Sequence, residues 1–327
     1  MSKTIEKRYN YKIIYNWFEI NHWKPFRFQF ETWNSFLSGN SGLLNAPTGS
    51  GKTYALWIPV VLEILERQNF EQKQIPEGLQ IIWITPLRAL AKDIQKALQI
   101  FCTDLGLSWQ IEIRTGDTPA GQRNRQLKKI PLCLITTPES LHILFSQNQS
   151  TSFFENTKTI IVDEWHELLG TKRGVQTELA ISRIRSLSKF HLKIWGISAT
   201  IGNLDEAIEV LLGPKYTLKP IVIKAQIEKK TEIESIIPEK IDRFPWAGHL
   251  GLKLLPQILP IIEKNKTTLL FTNTRSQTEI WYREILNKKP EYAGIMAMHH
   301  GSIDNHIRVW VEEALSAGKL KLVVCTS

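Results

Sequence analysis

An α/β protein of two doubly wound parallel-sheet lobes in tandem, the second incomplete, is the fold the sequence predicts. Three observations lead there. Short apolar runs of strand type alternate with segments of helical period through most of the 327 residues, the pattern of strands joined by crossover helices. Polar and glycine-bearing motifs follow those runs directly, where the carboxyl ends of parallel strands gather ligands. Near Tyr216 the alternation lapses and then resumes, which divides the chain into 1–215, a link with entry strands over 216–240, and 241–327. The length suits about two domains with cores of their own.

In chain order, residues 1–25 carry Tyr11, Tyr15, Trp17, Phe18 and Trp23 at near-helical spacing, which predicts an amphipathic helix packed on the core. Next comes Phe26-Arg27-Phe28-Gln29-Phe30-Glu31-Thr32-Trp33. Taken alone, Gln29 reads as a surface glutamine of a helix, although an amide can also pair with the N6/N7 edge of adenine. The apolar run Gly42-Leu43-Leu44-Asn45 then leads into Ala46-Pro47-Thr48-Gly49-Ser50-Gly51-Lys52-Thr53, with a helical pattern from Tyr54 to Arg67 behind it. This octet fits the P-loop pattern G-x-x-x-x-G-K-[ST] everywhere but its first position, where Ala46 replaces glycine. Backbone N–H groups at a helix N-terminus form a concave anion site. Gly49 and Gly51 let the backbone approach phosphate, Lys52 reaches the β/γ-phosphates and the Thr53 hydroxyl ligates Mg²⁺. A nucleotide with Mg²⁺ is the ligand this predicts.

Strands are expected at 80–84, 109–114, 132–135, 159–162 and 192–197, with helices between them, one of them a basic segment bearing Arg123, Arg125, Lys128 and Lys129. A solvated face is the plainer reading of that segment, direct DNA contact the other. Asp163-Glu164 follows the strand ending at Val162. There Asp163 can hold Mg²⁺ through water and Glu164 can orient and deprotonate an attacking water. An acidic helix N-terminus is what the pair would mean in isolation. Beyond 216, β-rich runs at 217–223 and 232–237 flank a charged link, a helix is expected over 250–263, and the alternation resumes with strands at 267–271, 294–298 and 321–325.

The charge balance is +9, from 41 Lys+Arg against 32 Asp+Glu, which favours a polyanionic partner. The high tryptophan count, 11, fits packing better than base stacking, since many of these residues lie in strand or helix patterns. Cys102, Cys133 and Cys325 lie far apart without a C-x-x-C pair, and read as reduced core thiols of a cytoplasmic protein. No secretory h-region and no membrane-length apolar run are visible, so no membrane partner is expected.

The motifs together resemble a superfamily 2 helicase. They are the P-loop, Thr85-Pro86-Leu87-Arg88-Ala89-Leu90-Ala91, Thr115-Gly116-Asp117, Thr136-Thr137-Pro138-Glu139-Ser140, Asp163-Glu164-Trp165-His166, Ser198-Ala199-Thr200, Phe271-Thr272-Asn273-Thr274-Arg275 and His299-His300-Gly301-Ser302. The run from Asp163 to Gln176, with Phe244-Pro245-Trp246-Ala247-Gly248-His249-Leu250-Gly251-Leu252, resembles the Lhr (large helicase-related) branch, which includes DNA-ligase-associated DEXH-box helicases.

That resemblance implies two RecA-like lobes closing on ATP and moving 3′-to-5′ on single-stranded or tailed duplex DNA, with DNA repair as the setting. A DNA/RNA hybrid substrate, a ligase or nuclease partner and a monomeric state belong to the same expectation. An RNA helicase on this scaffold, or a binding fragment that does not cycle, are the alternatives. Carried over by motif, Gln29 reads adenine, Thr48, Gly49, Ser50, Gly51, Lys52 and Thr53 bind the nucleotide, and Lys52, Asp163 and Glu164 are catalytic. Thr53 and Asp163 take Mg²⁺, while His166, Ser198 and Thr200 couple hydrolysis to motion. Arg88, Thr115, Gly116, Thr137, Pro138 and Glu139 line the strand-binding face of the first lobe, and Asn273, Thr274, Arg275, His300, Gly301 and Thr326 that of the second. For His300 a core or cap role is the plainer alternative.

Two departures from the family pattern stand out. Trp165 occupies a position more often aliphatic, which predicts different local packing. Cys325-Thr326-Ser327 resembles the start of a motif that runs on to touch ribose, and the 327 residues contain no Q-x-x-G-R-x-G-R segment. The arginines of that segment supply transition-state charge worth about 10³–10⁵ in rate. A fragment that binds ATP but hydrolyses it poorly is therefore expected.

Overall fold

The computed structural model describes residues 11–71, 76–199, 201–214, 219–227, 231–237 and 250–326. It divides into two compact units, Met1–Lys229 and Lys230–Ser327. The first holds seven parallel strands: β1 (Gly42–Asn45), β2 (Ile81–Ile84), β3 (Ile111–Arg114), β4 (Cys133–Thr136), β5 (Thr159–Val162), β6 (Lys193–Ser198) and β7 (Ile221–Lys224). They lie in the order β3-β4-β2-β5-β6-β1-β7. Helices α1 (Tyr11–Ile20), α2 (Arg27–Leu37), α3 (Lys52–Glu71), α4 (Arg88–Asp104), α5 (Ala120–Lys128), α6 (Pro138–Phe145), α7 (Ser150–Phe154), α8 (Trp165–Leu168), α9 (Lys172–Leu187) and α10 (Leu204–Leu212) connect and cover them.

Both sheet faces are buried, which is why the strands read as continuous apolar runs. Alternate residues serve opposite faces. Ile81, Trp83, Ile135, Ile161 and Trp195 join one core with Trp17, Trp33, Phe36, Trp57 and Phe101. Ile82, Ile84, Leu134, Ile160 and Ile194 join another with Phe153, Phe154, Trp165 and Leu211. Most tryptophans are thus packing residues, as expected, although Trp23 and Trp310 are about half exposed. The three cysteines are buried and free, and burial pushes the Cys102 thiol up to about 12.

The first unit runs past the expected boundary at residue 215, because β7 pairs in parallel with β1 from Gly42↔Ile221 to Asn45↔Lys224. The other run expected to be β-rich, 232–237, carries no strand. Ile233 and Ile237 are exposed there, so its β-branched residues have no face to bury against. Residues 1–10, the segment Phe244 to His249 and, within 216–240, residues 216–218, 228–230 and 238–240 lie outside the described residues.

The second unit contains a 3₁₀ turn (Leu250–Leu254), α11 (Leu255–Lys264), β8 (Thr268–Thr272), α12 (Arg275–Lys288), β9 (Met296–His299), α13 (Asn305–Ser316) and β10 (Leu322–Thr326). Its parallel sheet has the order β8-β10-β9. The single helix expected over 250–263 begins instead as 3₁₀. Pro256 sits in the first turn of α11 and has no N–H to extend an α-helical ladder backward.

Candidate nucleotide site and nucleic-acid face

The P-loop begins where β1 ends. Ala46 N–H donates to the Ser198 carbonyl at 2.9 Å, which carries the β1–β6 ladder one residue further. Ala46 is buried and is not among the residues at positive φ, so alanine fits where the consensus has glycine. The glycines are needed further on. Gly49 and Gly51 have φ of +76° and +81°, a region that strains L side chains. A Cβ on Gly51 would also lie 2.8 Å from Gln29 Nε2. Ser50 Oγ donates to the Pro47 carbonyl at 2.6 Å and tightens the loop. α3 starts at Lys52, so its first-turn N–H groups and its dipole act at the loop. Thr48 is exposed and Thr53 half-buried.

Gln29 is buried rather than on the surface. Its Oε1 accepts from Phe26 N–H at 2.8 Å, and its Nε2 donates to the Gly51 carbonyl at 3.1 Å. The amide therefore ties the start of α2 to the P-loop. One lone pair and one proton remain for a base edge.

The end of β5 supplies the acidic groups. Asp163 is buried; its Oδ1 accepts from Glu164 N–H at 2.9 Å and its Oδ2 from Trp83 Nε1 at 3.4 Å. Burial, and then the neighbouring Glu164 carboxylate, push the Asp163 carboxyl up to about 6. Glu164 sits at φ 45°, ψ 48°, a left-handed conformation costing about 1–2 kcal/mol for a non-glycine residue. This turn aims Glu164 Oε1 at Lys52 Nζ, 3.4 Å away. Its Oε2 lies 3.4 Å from His166 Nδ1, and that same nitrogen is 3.1 Å from Ser198 Oγ. P-loop lysine, β5 carboxylate, His166 and the end of β6 thus form one chain of polar contacts. Thr200 lies outside the described residues.

Two contacts here carry no local sequence signal. Trp83, on β2, holds Asp163 across 80 positions of sequence. Asn45 Nδ2 donates to the Ala199 carbonyl at 3.3 Å and joins the P-loop strand to the Ser198-Ala199 turn. Trp165 is fully buried, and its Nε1 donates to the Ala207 carbonyl of α10 at 2.8 Å. The indole thus replaces an aliphatic side chain without leaving its polar atom unpaired.

Among the described residues, no three His, Cys, Asp or Glu side chains converge on a metal position. The available set is the Asp163 carboxylate and the Thr53 hydroxyl. Mg²⁺ fits such a set, because it takes few protein oxygens and completes its shell with water and substrate phosphates. A buried Asp163 carboxyl raised above the ordinary carboxylate range is also a group whose ionised form a cation would favour.

The ends of β2, β3 and β4 present a different chemistry. Arg88 Nη1 is 2.7 Å from Asp117 Oδ1. In the turn after β3, Thr115 N–H donates to Thr118 Oγ1 at 2.9 Å. Arg88 packs so close to Gly116 that a Cβ there would meet its Nη2 at 2.7 Å. Thr137 is buried, with Oγ1 donating to Ser140 Oγ at 3.2 Å, and Pro138 opens α6. Glu139 grips Arg173 of α9 by two bonds, the shorter 2.5 Å from Nε to Oε1. Its carboxylate thereby braces α6 against α9, whereas direct approach to a phosphate would bring two negative charges together.

In the second unit, Thr274 Oγ1 accepts from Gln277 N–H at 3.2 Å and caps α12. Arg275 Nη1 donates to Ser302 Oγ at 2.5 Å and lies beside Gly301. His300 is buried, with Nδ1 accepting from Ser302 N–H at 3.3 Å. This bond lies within the turn before α13, whose own N-cap is Asp304. Asn273 is exposed, its N–H donating to Gln277 Oε1 at 3.2 Å. Thr326 ends β10 opposite Thr272. Arg275, Gly301 and His300 are thus brought together.

Residues 26–207 match the family model described as DEAD/DEAH box helicase. The chain belongs to that family. It is 33% identical over 305 residues to ATP-dependent helicase Lhr-Core of Methanothermobacter thermautotrophicus, covering 88% of this chain and 35% of that protein. ATP-dependent helicase Lhr-Core protein 2 of Thermococcus barophilus is 32% identical over 304 residues, with 88% and 35% covered. The chain therefore spans about a third of the length of these curated relatives. The structure of Mycobacterium smegmatis helicase Lhr bound to ssDNA and AMP-PNP superposes with a TM-score of 0.78 at 27% identity, covering 96% of this chain and 41% of that one. In this DEAD/DEAH box helicase chain, six of the eight motifs named from sequence follow six of the seven parallel strands of the first sheet, and the other two follow β8 and β9 of the second. Among the described residues no helix is long and apolar enough to cross a membrane.

Proposed function

We propose that this chain is the nucleotide-binding and strand-gripping part of an ATP-dependent DNA helicase or translocase that moves 3′-to-5′ on single-stranded DNA. The observation that carries the reading is the sorting of motifs along the sheet. Those after β1, β5 and β6, three adjacent strands, offer phosphate-binding amides, an ammonium and carboxylates. Those after β2, β4 and β3 offer guanidinium and hydroxyl groups suited to a nucleic-acid backbone. The likeness to a helicase solved with ssDNA and AMP-PNP supports the same pairing of ligands.

In this reading the P-loop amides and Lys52 bind the β/γ-phosphates, drawing the ammonium away from Glu164. Thr53 and Asp163 hold Mg²⁺, which when bound neutralises charge on the phosphate oxygens. Glu164, freed of Lys52, accepts a proton from the attacking water at its carboxylate. His166, bonded to Ser198, registers that change at the end of β6. Strand contacts go to phosphates, so binding is insensitive to base sequence. DNA repair, with a ligase or nuclease partner, is the setting this reading suggests. Because the 327 residues contain no Q-x-x-G-R-x-G-R segment, turnover by them alone is slow.

Strand separation on 3′- and 5′-tailed duplexes by the longer protein, alongside ATPase stimulation by DNA and by RNA, tests the reading. Activity on 3′-tailed DNA alone is expected; equal use of both tails, or dependence on RNA, overturns it. For the 327-residue chain, Lys52→Ala abolishes ATP binding in a direct titration. Brisk DNA-stimulated turnover by that chain without any added protein contradicts the slow-hydrolysis claim.

A further inference from the structure

The turn after β3 is held from two sides, and one of the groups holding it has no role in anything derived above. Arg123, on α5, donates from Nη2 to the Gly116 carbonyl at 2.7 Å and to the Thr115 carbonyl at 3.2 Å. Its own carbonyl accepts from Nη1 of the buried Arg114 at 3.0 Å, and its Nε is buried without a hydrogen-bond partner. From the other side Arg88 pairs with Asp117 and packs on Gly116. Within the turn, the buried Thr115 accepts at Oγ1 from Asp117 N–H at 3.4 Å, a third tie on the same backbone.

We infer that Arg123 is a positioning residue for nucleic-acid binding. With both turn carbonyls drawn inward to its guanidinium, Arg123 fixes the backbone so that the exposed Gly116-Asp117 edge of the turn and Arg88 face the strand. A guanidinium suits this task, because one planar fork reaches two carbonyls at once. The basic segment 123–129 thus divides by function. Arg123 is half-buried and turned onto the protein's own backbone, while Lys128 and Lys129 are exposed. The inference rests on the proposed nucleic-acid partner.

Equilibrium binding of a fluorescent oligo(dT) single strand over a salt series, with the 327-residue chain and its Arg123→Ala and Arg123→Gln variants, tests this. Circular dichroism and ATP titration report folding. Positioning predicts affinity about tenfold weaker at every salt concentration, with an unchanged slope of log affinity against log salt, unchanged ATP binding, and faster amide exchange at Thr115–Asp117. Losing a direct phosphate contact would instead flatten the slope by about 0.7, and that result overturns the inference in favour of a contact residue. Unchanged affinity in either folded variant overturns it in favour of a purely structural bond. If Arg123→Ala does not fold, Arg123→Gln is read by the same criteria, and failure of both to fold overturns it likewise. No binding by the unaltered chain overturns the nucleic-acid reading itself, and this inference with it.

Discussion

Asp163 is under opposing demands that pH can separate. Its carboxyl is pushed up to about 6 from an ordinary value of 3.8, by burial and then by Glu164, against the pull of the Glu164 N–H, Lys52 and Trp83. The native state therefore holds a proton that the unfolded chain has released over that interval. Its stability contribution grows as pH falls through 6, is complete below about 4, and is lost as pH rises through the same window. In the proposed function metal binding has the opposite sign, since Mg²⁺ would need the carboxylate. Mg²⁺-dependent nucleotide binding should weaken as pH falls below about 6, and a fluorescent-nucleotide titration across that range should lose the step in Asp163→Asn. Glu164→Gln should keep nucleotide affinity yet slow turnover of the longer protein by about 10²–10⁴, measured in single-turnover hydrolysis. The P-loop and Asp163-Glu164 were legible in sequence because each is a contiguous pattern. The Gln29–Gly51 and Asn45–Ala199 bonds were not, because they join residues 22 and 154 positions apart and neither residue type signals its partner.

At the scale of elements, strands and helices followed their periodicity, and misreadings came where neighbours decide. An edge strand and an exposed extended segment share the same β-branched composition. Only pairing with β1 makes 221–224 a strand, while 231–237 has none. That pairing depends on Gly42, where a Cβ would lie 2.3 Å from the Ile221 carbonyl and 2.9 Å from Trp195 Cζ3. Gly42→Ala should destabilise the first unit by about 1–3 kcal/mol, seen as a lower denaturant midpoint. Trp165→Phe keeps one aromatic ring but removes the rest of the indole and the donor to the Ala207 carbonyl. A loss of about 1–3 kcal/mol is expected in the same assay, with the Trp165→Ala cavity costing more, about 3–5 kcal/mol.

For the whole molecule, the +9 charge predicts an electrostatic affinity for polyanions. Log affinity for a single strand should fall linearly with log salt, at about 0.7 per neutralised phosphate. Lys52→Ala should leave that slope unchanged, since its ammonium sits in the nucleotide site against Glu164. The sequence by itself determined the α/β class, the motifs and their chemical types, because periodicity and short motifs are local properties of the chain. The strand order β3-β4-β2-β5-β6-β1-β7 was decided only in the tertiary structure. Strand neighbours are chosen by burying two sheet faces at once, a non-local condition that no single segment encodes. That order sets the lysine and carboxylate motifs side by side, and the Arg88 motif next to the hydroxyl-bearing motifs of β3 and β4, as the proposed function requires.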